Sequence, residues 1–201
     1  MPSIYDLKPA FQNLLRPLCG RLAHWGITAN QVTIAAVLLS LGMGAAIVWQ
    51  PHTAWILLFL PLVLFVRMGL NAIDGLLARE HDMQTPLGAI LNELGDVVAD
   101  AGLYLPFALL PGVMPSLVVI VVLLAIISEM TGVIGVQIGA SRRYDGPFGK
   151  SDRAFAFGII ALLLGLGISA DVWLNIVLEI MLAFSILTIF NRAFQALKEV
   201  K

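Results

Sequence analysis

The sequence predicts an all-α integral membrane protein, with six transmembrane helices preceded by an N-terminal amphipathic surface helix. Three observations predict it. Of the 201 residues, 59% are hydrophobic and 12% charged, against about 45–50% apolar and roughly 25% charged in soluble domains. Mean hydropathy is +0.92. Apolar runs of spanning length, about 20 residues each, alternate with short polar or Pro/Gly turns, and basic residues occupy only every second turn. This composition excludes a disordered, collagen-like or disulfide-framework protein. The single cysteine, Cys19, allows no intrachain disulfide and reads as a buried, inert thiol. Net charge is −1, and no nucleic-acid partner is expected.

Residues 1–201 read as one membrane domain, with a juxtamembrane helix over 1–26 and a six-span bundle over 27–201. Ile4, Leu7, Phe11, Leu14, Leu15, Leu18 and Leu22 recur at three- and four-residue steps, with Asp6, Lys8, Gln12, Asn13, Arg16 and Arg21 opposite. That pattern fits a helix in the membrane surface, or one packed on the domain's own cytosolic side. It carries no secretory cleavage pattern. Gly26 ends it, and Thr28-Ala29-Asn30-Gln31 fits a capping box that starts the first span, about 31–49. The second span runs from about 54 toward Arg79, and the third from Pro86, a favoured first-turn residue, to about 110. The fourth covers about 116–140, the fifth about 154–168 and the sixth about 172–194. Residues 80–85 and 141–153 are polar loops.

Six spans put both termini on one side. Lys8, Arg16, Arg21, Arg79, Arg142, Arg143, Lys150, Arg153, Arg192, Lys198 and Lys201 all fall on that side; of the twelve basic residues only Arg67 does not. The positive-inside rule makes that side cytoplasmic, in an inner or cytoplasmic membrane. Trp25, Trp49, Trp55 and Trp173 fall near span ends, as interfacial belts do.

Charges inside a span cost roughly 2.5–3.5 kcal/mol each even on the lenient insertion scale. Spans two and three nevertheless carry Arg67, Asp74, Glu93, Asp96 and Asp100, span four Glu129 and span six Glu179. Asn71, Asp74, Gly75 and Ala78 share one face of span two, and Asn92, Asp96 and Asp100 form a stripe on span three. Two neighbouring helices thus offer oxygen donors near their cytosolic ends. Hard oxygen donors without His or Cys suit Mg²⁺ or Mn²⁺, whose shell is completed by water and substrate phosphate. Gly75, Ala78, Gly88 and Ala89 leave room for a flat or bulky group. Arg67 and Glu129 read as partners of buried groups from other spans. Gly135-x₃-Gly139 fits a close helix crossing, within the chain or in a dimer.

Asp74-Gly75-Leu76-Leu77-Ala78-Arg79, eight residues, then Gly88-x₃-Asn92-x₃-Asp96 resembles the signature of the CDP-alcohol phosphotransferase (CDP-alcohol phosphatidyltransferase) family, Asp-x₂-Asp-Gly-x₂-Ala-Arg-x₈-Gly-x₃-Asp-x₃-Asp. The spacing matches throughout, and the lead-in Ile27-Thr28-Ala29-Asn30 and the six-span layout extend the resemblance over nearly the whole chain. It is most similar to an uncharacterised bacterial branch. The resemblance implies transfer of a phosphatidyl group from a CDP-linked lipid, chiefly CDP-diacylglycerol, to an alcohol with release of CMP, in phospholipid biosynthesis.

Carried over by position, the metal ligands would be Asn71, Asp74, Asn92 and Asp96, and Asp96 the general base. Asp74, Gly75, Ala78, Arg79 and Gly88 would bind the nucleotide. Two positions depart: Asn71 and Asn92 stand where the family has aspartate. Four aspartates would balance two divalent ions; Asp74 and Asp96 supply half that charge. The departures imply weaker metal binding, a single Mg²⁺ or Mn²⁺, or help from Asp100, one turn beyond Asp96, or Glu93. Arg142, Arg143, Lys150 and Arg153 read either as topology and headgroup contacts or as the dock for a phosphorylated acceptor. A homodimer is the family expectation. The alternatives are a catalytically weakened relative that binds CDP-lipid or metal without efficient turnover, and a transporter using the same acids; the latter lacks an internal repeat and a midplane site.

Overall fold

A computed structural model describes residues 4–201. Among them are seven α-helices: α1 (Ile4–His24), α2 (Ala29–Trp49), α3 (Ala54–Glu80), α4 (Pro86–Tyr104), α5 (Pro115–Gln137), α6 (Lys150–Gly165) and α7 (Val172–Glu199), with a 3₁₀ turn over Leu105–Leu109 after α4. No strand occurs among the described residues. Four helices, α2, α3, α5 and α7, are long and apolar enough to cross a membrane. The acids of α4 keep it out of that set. The 16 residues of α6 span only about 24 Å at 1.5 Å per residue. Leu38, Leu62, Phe65, Leu123, Met130 and Phe190 are exposed, the large apolar surface that a spanning helix offers to lipid.

Local chemistry sets the first boundaries. Gly26 takes φ +74°, the left-handed conformation that ends α1, with Gly26 N–H bonded to the Ala23 carbonyl and Ile27 N–H to the Leu22 carbonyl. The capping box forms as the sequence predicts: Thr28 N–H donates to Gln31 Oε1 at 2.9 Å, and Gln31 N–H to Thr28 Oγ1 at 3.3 Å.

Other boundaries differ from expectation. The third helix turns 3₁₀ at Leu105 instead of running to 110, because Pro106 cannot donate a helical hydrogen bond. The fifth span begins at Lys150, inside the expected polar loop, because Asp152 Oδ2 caps the Gly149 N–H at 2.8 Å. The fourth ends at Gln137. Gly139 therefore lies past the helix with φ +89°, so of the expected Gly135–Gly139 pair only Gly135 is helical, facing Ala196 of α7. Gly132 and Gly135 instead let the returning chain lie against α5, with Arg143 N–H on the Gly132 carbonyl at 3.2 Å and Ala140 N–H on the Gly135 carbonyl at 3.0 Å.

The chain forms two compact units. The first comprises residues 1–42 and 62–99. Its core is Cys19, Ala29, Val32, Ile73, Leu76 and Leu77, flanked by Leu15, Leu22 and Leu70. Phe11 packs edge-on against Phe65 at 6.3 Å between centroids. The inward stripe of α1 is thus Phe11, Leu15, Cys19 and Leu22, while Leu14 and Leu18 are exposed. Ile4 and Leu7, expected on the apolar stripe, have side chains outside those described. Burial pushes the Cys19 thiol pKa up, and the Glu80 charge adds to the effect; the buried, inert thiol follows. The Arg16 guanidinium forks onto Glu80 at 3.0 Å, an exposed pair that guides α1 and adds little stability.

The second unit comprises residues 43–61 and 100–201. Tyr104 stacks on Phe157 at 4.1 Å and 7°, and Phe107 meets the same ring edge-on. Gly44 lies against the Gly102 main-chain carbonyl so closely that a Cβ would overlap it. Backbone cannot rotate away, so Gly44→Ala is expected to cost about 1–3 kcal/mol, read as a lower melting temperature in detergent. Gly42, with no heavy atom within 4 Å of such a Cβ, is the control. Gly42→Ala is expected to be neutral or stabilising by up to about 1 kcal/mol.

Candidate active site

The site lies in the first unit, where the ends of α3 and α4 meet the start of α2. Residues 81–85 connect α3 to α4 in five residues, so the two helices are held as neighbours. Gly88 and Gly95 let α4 approach α2: a Cβ on Gly88 would come within 2.7 Å of Asn30 Oδ1, and one on Gly95 within 3.0 Å of Val37. Thr85 Oγ1 caps α4 by accepting the Gly88 N–H at 2.9 Å and also takes Asn30 Nδ2 at 3.4 Å. A cleft of about 630 Å³ opens there, within the roughly 300–1,000 Å³ of small-molecule sites.

Eight of the residues singled out from sequence line this cleft together: Asp74, Gly75, Ala78, Arg79, Gly88, Ala89, Asn92 and Glu93. The Arg79 guanidinium lies over Gly75, where a Cβ would come within 3.1 Å of it. That makes Gly75 the position that admits the arginine. Asp74 is buried and accepts a hydrogen bond from Thr33 Oγ1 at 2.9 Å. Asn30, Thr33 and Thr85, which sequence reasoning missed, also line the cleft. Asn30 and Thr33 had a legible signal: polar residues three apart in an otherwise apolar helix.

Asn71 and Asp96 do not line the cleft. They meet across α3 and α4, with Asn71 Nδ2 donating to Asp96 Oδ1 at 3.3 Å. Arg67, buried at 3% exposure, donates from Nη2 to the Asp96 main-chain carbonyl at 3.2 Å and lies 3.9 Å from Oδ1. Its acid is therefore Asp96 on the neighbouring helix.

The remaining candidates belong to the second unit, where arginines and acids pair. Asp100 Oδ2 takes Arg153 Nη2 at 3.1 Å. Glu129 gathers Arg142 at 2.9 Å, Arg153 at 2.9 Å and Arg192 at 3.2 Å. Arg143 pairs with Asp145 at 2.8 Å and with Glu199. Arg153 is 1% exposed. Arg142, Arg143 and Arg153, considered as part of an acceptor dock, thus carry internal counter-ions; Lys150 opens α6.

The donors suit a hard divalent ion. Asp74, Asn92 and Glu93 line the same cleft with carboxylate and amide groups, and no cysteine or histidine is among its described lining residues. Among the described residues no group of three or more His, Cys, Asp or Glu is placed to hold a metal.

Comparison with known proteins agrees with this chemistry. The chain is 45% identical over 190 residues to the inner membrane protein YnbA of Escherichia coli (strain K12), covering 94% of each chain. It is 27% identical over 210 aligned positions to an uncharacterized protein of Aquifex aeolicus (strain VF5), covering 97% of this chain and 95% of that one. Residues 26–190 match the CDP-alcohol phosphatidyltransferase family, a span holding the cleft, Asn71 and Asp96 alike. Matching that family over most of its length, the chain belongs to the CDP-alcohol phosphatidyltransferase family.

Proposed function

We propose that the chain transfers a phosphatidyl group from a CDP-linked lipid, CDP-diacylglycerol, to an alcohol, releasing CMP. Family membership makes the reaction class transfer of a substituted phosphate from a CDP-alcohol, generally with a divalent metal. The observation that carries the reading is the cleft that gathers Asp74, Gly75, Ala78, Arg79, Gly88 and Asn92. In it the cytidine lies against Gly75 and Ala78, and Arg79 faces the diphosphate. Asp74 and Asn92 would hold the divalent ion, which supplies charge neutralisation at the transferring phosphate. Asp96 accepts the proton of the acceptor hydroxyl. The alcohol oxygen bonds to the β-phosphorus, the bond from that phosphorus to the CMP oxygen breaks, and CMP leaves with the electron pair.

The layout proposed around this site has six spans, with α4 and α6 crossing beside the four longer helices, and both termini cytoplasmic. The one-sided distribution of basic residues supports it, and the name of the Escherichia coli relative supports an inner-membrane location. Homodimerisation is part of the same reading. A weakened relative that binds donor without turnover is the second reading, favoured by Asn71 and Asn92.

The test is CMP release from CDP-diacylglycerol in mixed micelles with Mg²⁺ or Mn²⁺. The acceptors are glycerol 3-phosphate, inositol 1-phosphate, serine, glycerol and no added alcohol. Release that depends on one acceptor is the expected result and names the substrate. Donor binding with no CMP for any acceptor selects the second reading.

A further inference from the structure

We infer that Arg67 and Asn71 are positioning residues for Asp96, and that their positive field stands where a second divalent ion would otherwise be needed, so that the chain holds a single ion. The inference rests on the proposed site and on the role of Asp96 in it. Arg67 is 3% exposed in the apolar stretch of α3, where a guanidinium persists only with a partner. Its Nη2 is anchored on the Asp96 main-chain carbonyl at 3.2 Å. That anchor holds the cation beside the Asp96 carboxylate, 3.9 Å from Oδ1, whichever rotamer the carboxylate takes.

Asn71 adds to the same oxygen. Its Nδ2 lies 3.3 Å from Asp96 Oδ1. A carboxylate only accepts, so the amide must turn its NH₂ to Asp96 and its carbonyl away from that oxygen. An aspartate at position 71 would instead bring two carboxylates together, an arrangement that calls for a cation between them. Asparagine removes that need. The charges then divide: Arg67 stands beside Asp96, while the carboxylates of Asp74 and Glu93, with the neutral Asn92, line the cleft, a charge that one divalent ion balances. A second divalent ion beside Asp96 would meet the fixed guanidinium at short range and be repelled by it.

The test counts ions without requiring turnover. Purified full-length protein in detergent is titrated with Mn²⁺ alone, and free Mn²⁺ is read by electron paramagnetic resonance. Wild type is expected to hold one ion; none or two overturns the inference. Asn71→Asp is expected to stay at one, because the Arg67 guanidinium, still anchored beside Asp96, serves as the cation between the two carboxylates and repels a second divalent ion, and a count of two in it overturns the inference. Arg67→Gln combined with Asn71→Asp is expected to rise to two, and a folded double variant that still holds one overturns it. Should the double variant lose its melting transition, the wild-type and Asn71→Asp counts decide the matter. A merely structural role for Arg67 would shift melting temperature and leave the contrast between single and double variants absent. A chain that releases no CMP with any acceptor fails the proposed function and leaves this count readable.

Discussion

Asp96→Asn is expected to cut acceptor-dependent CMP release by about 10²–10⁴-fold, the range that general base catalysis supplies, with the donor KM unchanged. The substitution is nearly isosteric. Asparagine keeps a carbonyl oxygen that can still accept from Asn71 Nδ2, now at 3.3 Å from Asp96 Oδ1. The main-chain carbonyl that holds Arg67 at 3.2 Å is untouched. The donor cleft, which Asp96 does not line, is therefore retained; the buried Arg67 loses its charge partner, so melting temperature falls, and what is lost in the reaction is the ability to take the proton from the attacking hydroxyl. In barrier terms the loss is about 3–5 kcal/mol. Initial rates over a donor concentration series separate kcat from KM. A kcat within threefold of wild type would remove Asp96 from the base role, and a raised donor KM with unchanged kcat would make it a binding residue instead.

Glu129→Ala is expected to destabilise the protein by about 3–5 kcal/mol, the cost of removing one partner from a buried ionic cluster. Glu129 is 8% exposed and lies among Arg142, Arg153 and Arg192, of which Arg153 and Arg192 are each 1% exposed. Without it three guanidiniums face one another, with Asp100, bonded to Arg153 at 3.1 Å, as an acid nearby. Glu129→Gln keeps an acceptor and the shape but loses the charge, and is expected to fall between wild type and alanine. Combining Glu129→Ala with Arg192→Met should recover part of the loss, since the double variant removes one of the orphaned cations. Thermal melts in detergent report all three. Wild-type melting in Glu129→Gln and Glu129→Ala alike would mean that the cluster is solvated rather than sealed.

The comparison with the exposed Arg16–Glu80 pair shows why burial decides the magnitude. Both are arginine–carboxylate contacts near 3 Å. The Arg16 side chain is 50% exposed and water screens it, whereas the Arg153 side chain is 1% exposed and has only its protein partners.

Local sequence determined a good deal about this protein. Apolar run length places the helices. Gly26 and the Thr28–Gln31 box mark the end of α1 and the start of α2, because both devices act within four residues. The three- and four-residue spacing puts Asp74, Gly75 and Ala78 on one face and Asn92 one turn from Asp96, so the cleft could be read before its geometry was known. What local sequence could not carry was pairing between helices. Arg153 and Arg142 read as headgroup contacts or an acceptor dock because a run of basic residues carries no record of Glu129, 24 and 13 residues away. Arg67 was legible as a cation in need of an acid, but only the packing of α3 on α4 chose Asp96 over Asp74. Asn71 read as a weakened metal ligand; the same packing turned its amide nitrogen onto the Asp96 carboxylate. Periodicity is a property of one helix, whereas the partner of a buried charge is set by which helices meet and how closely glycines such as Gly44, Gly88 and Gly95 let them approach.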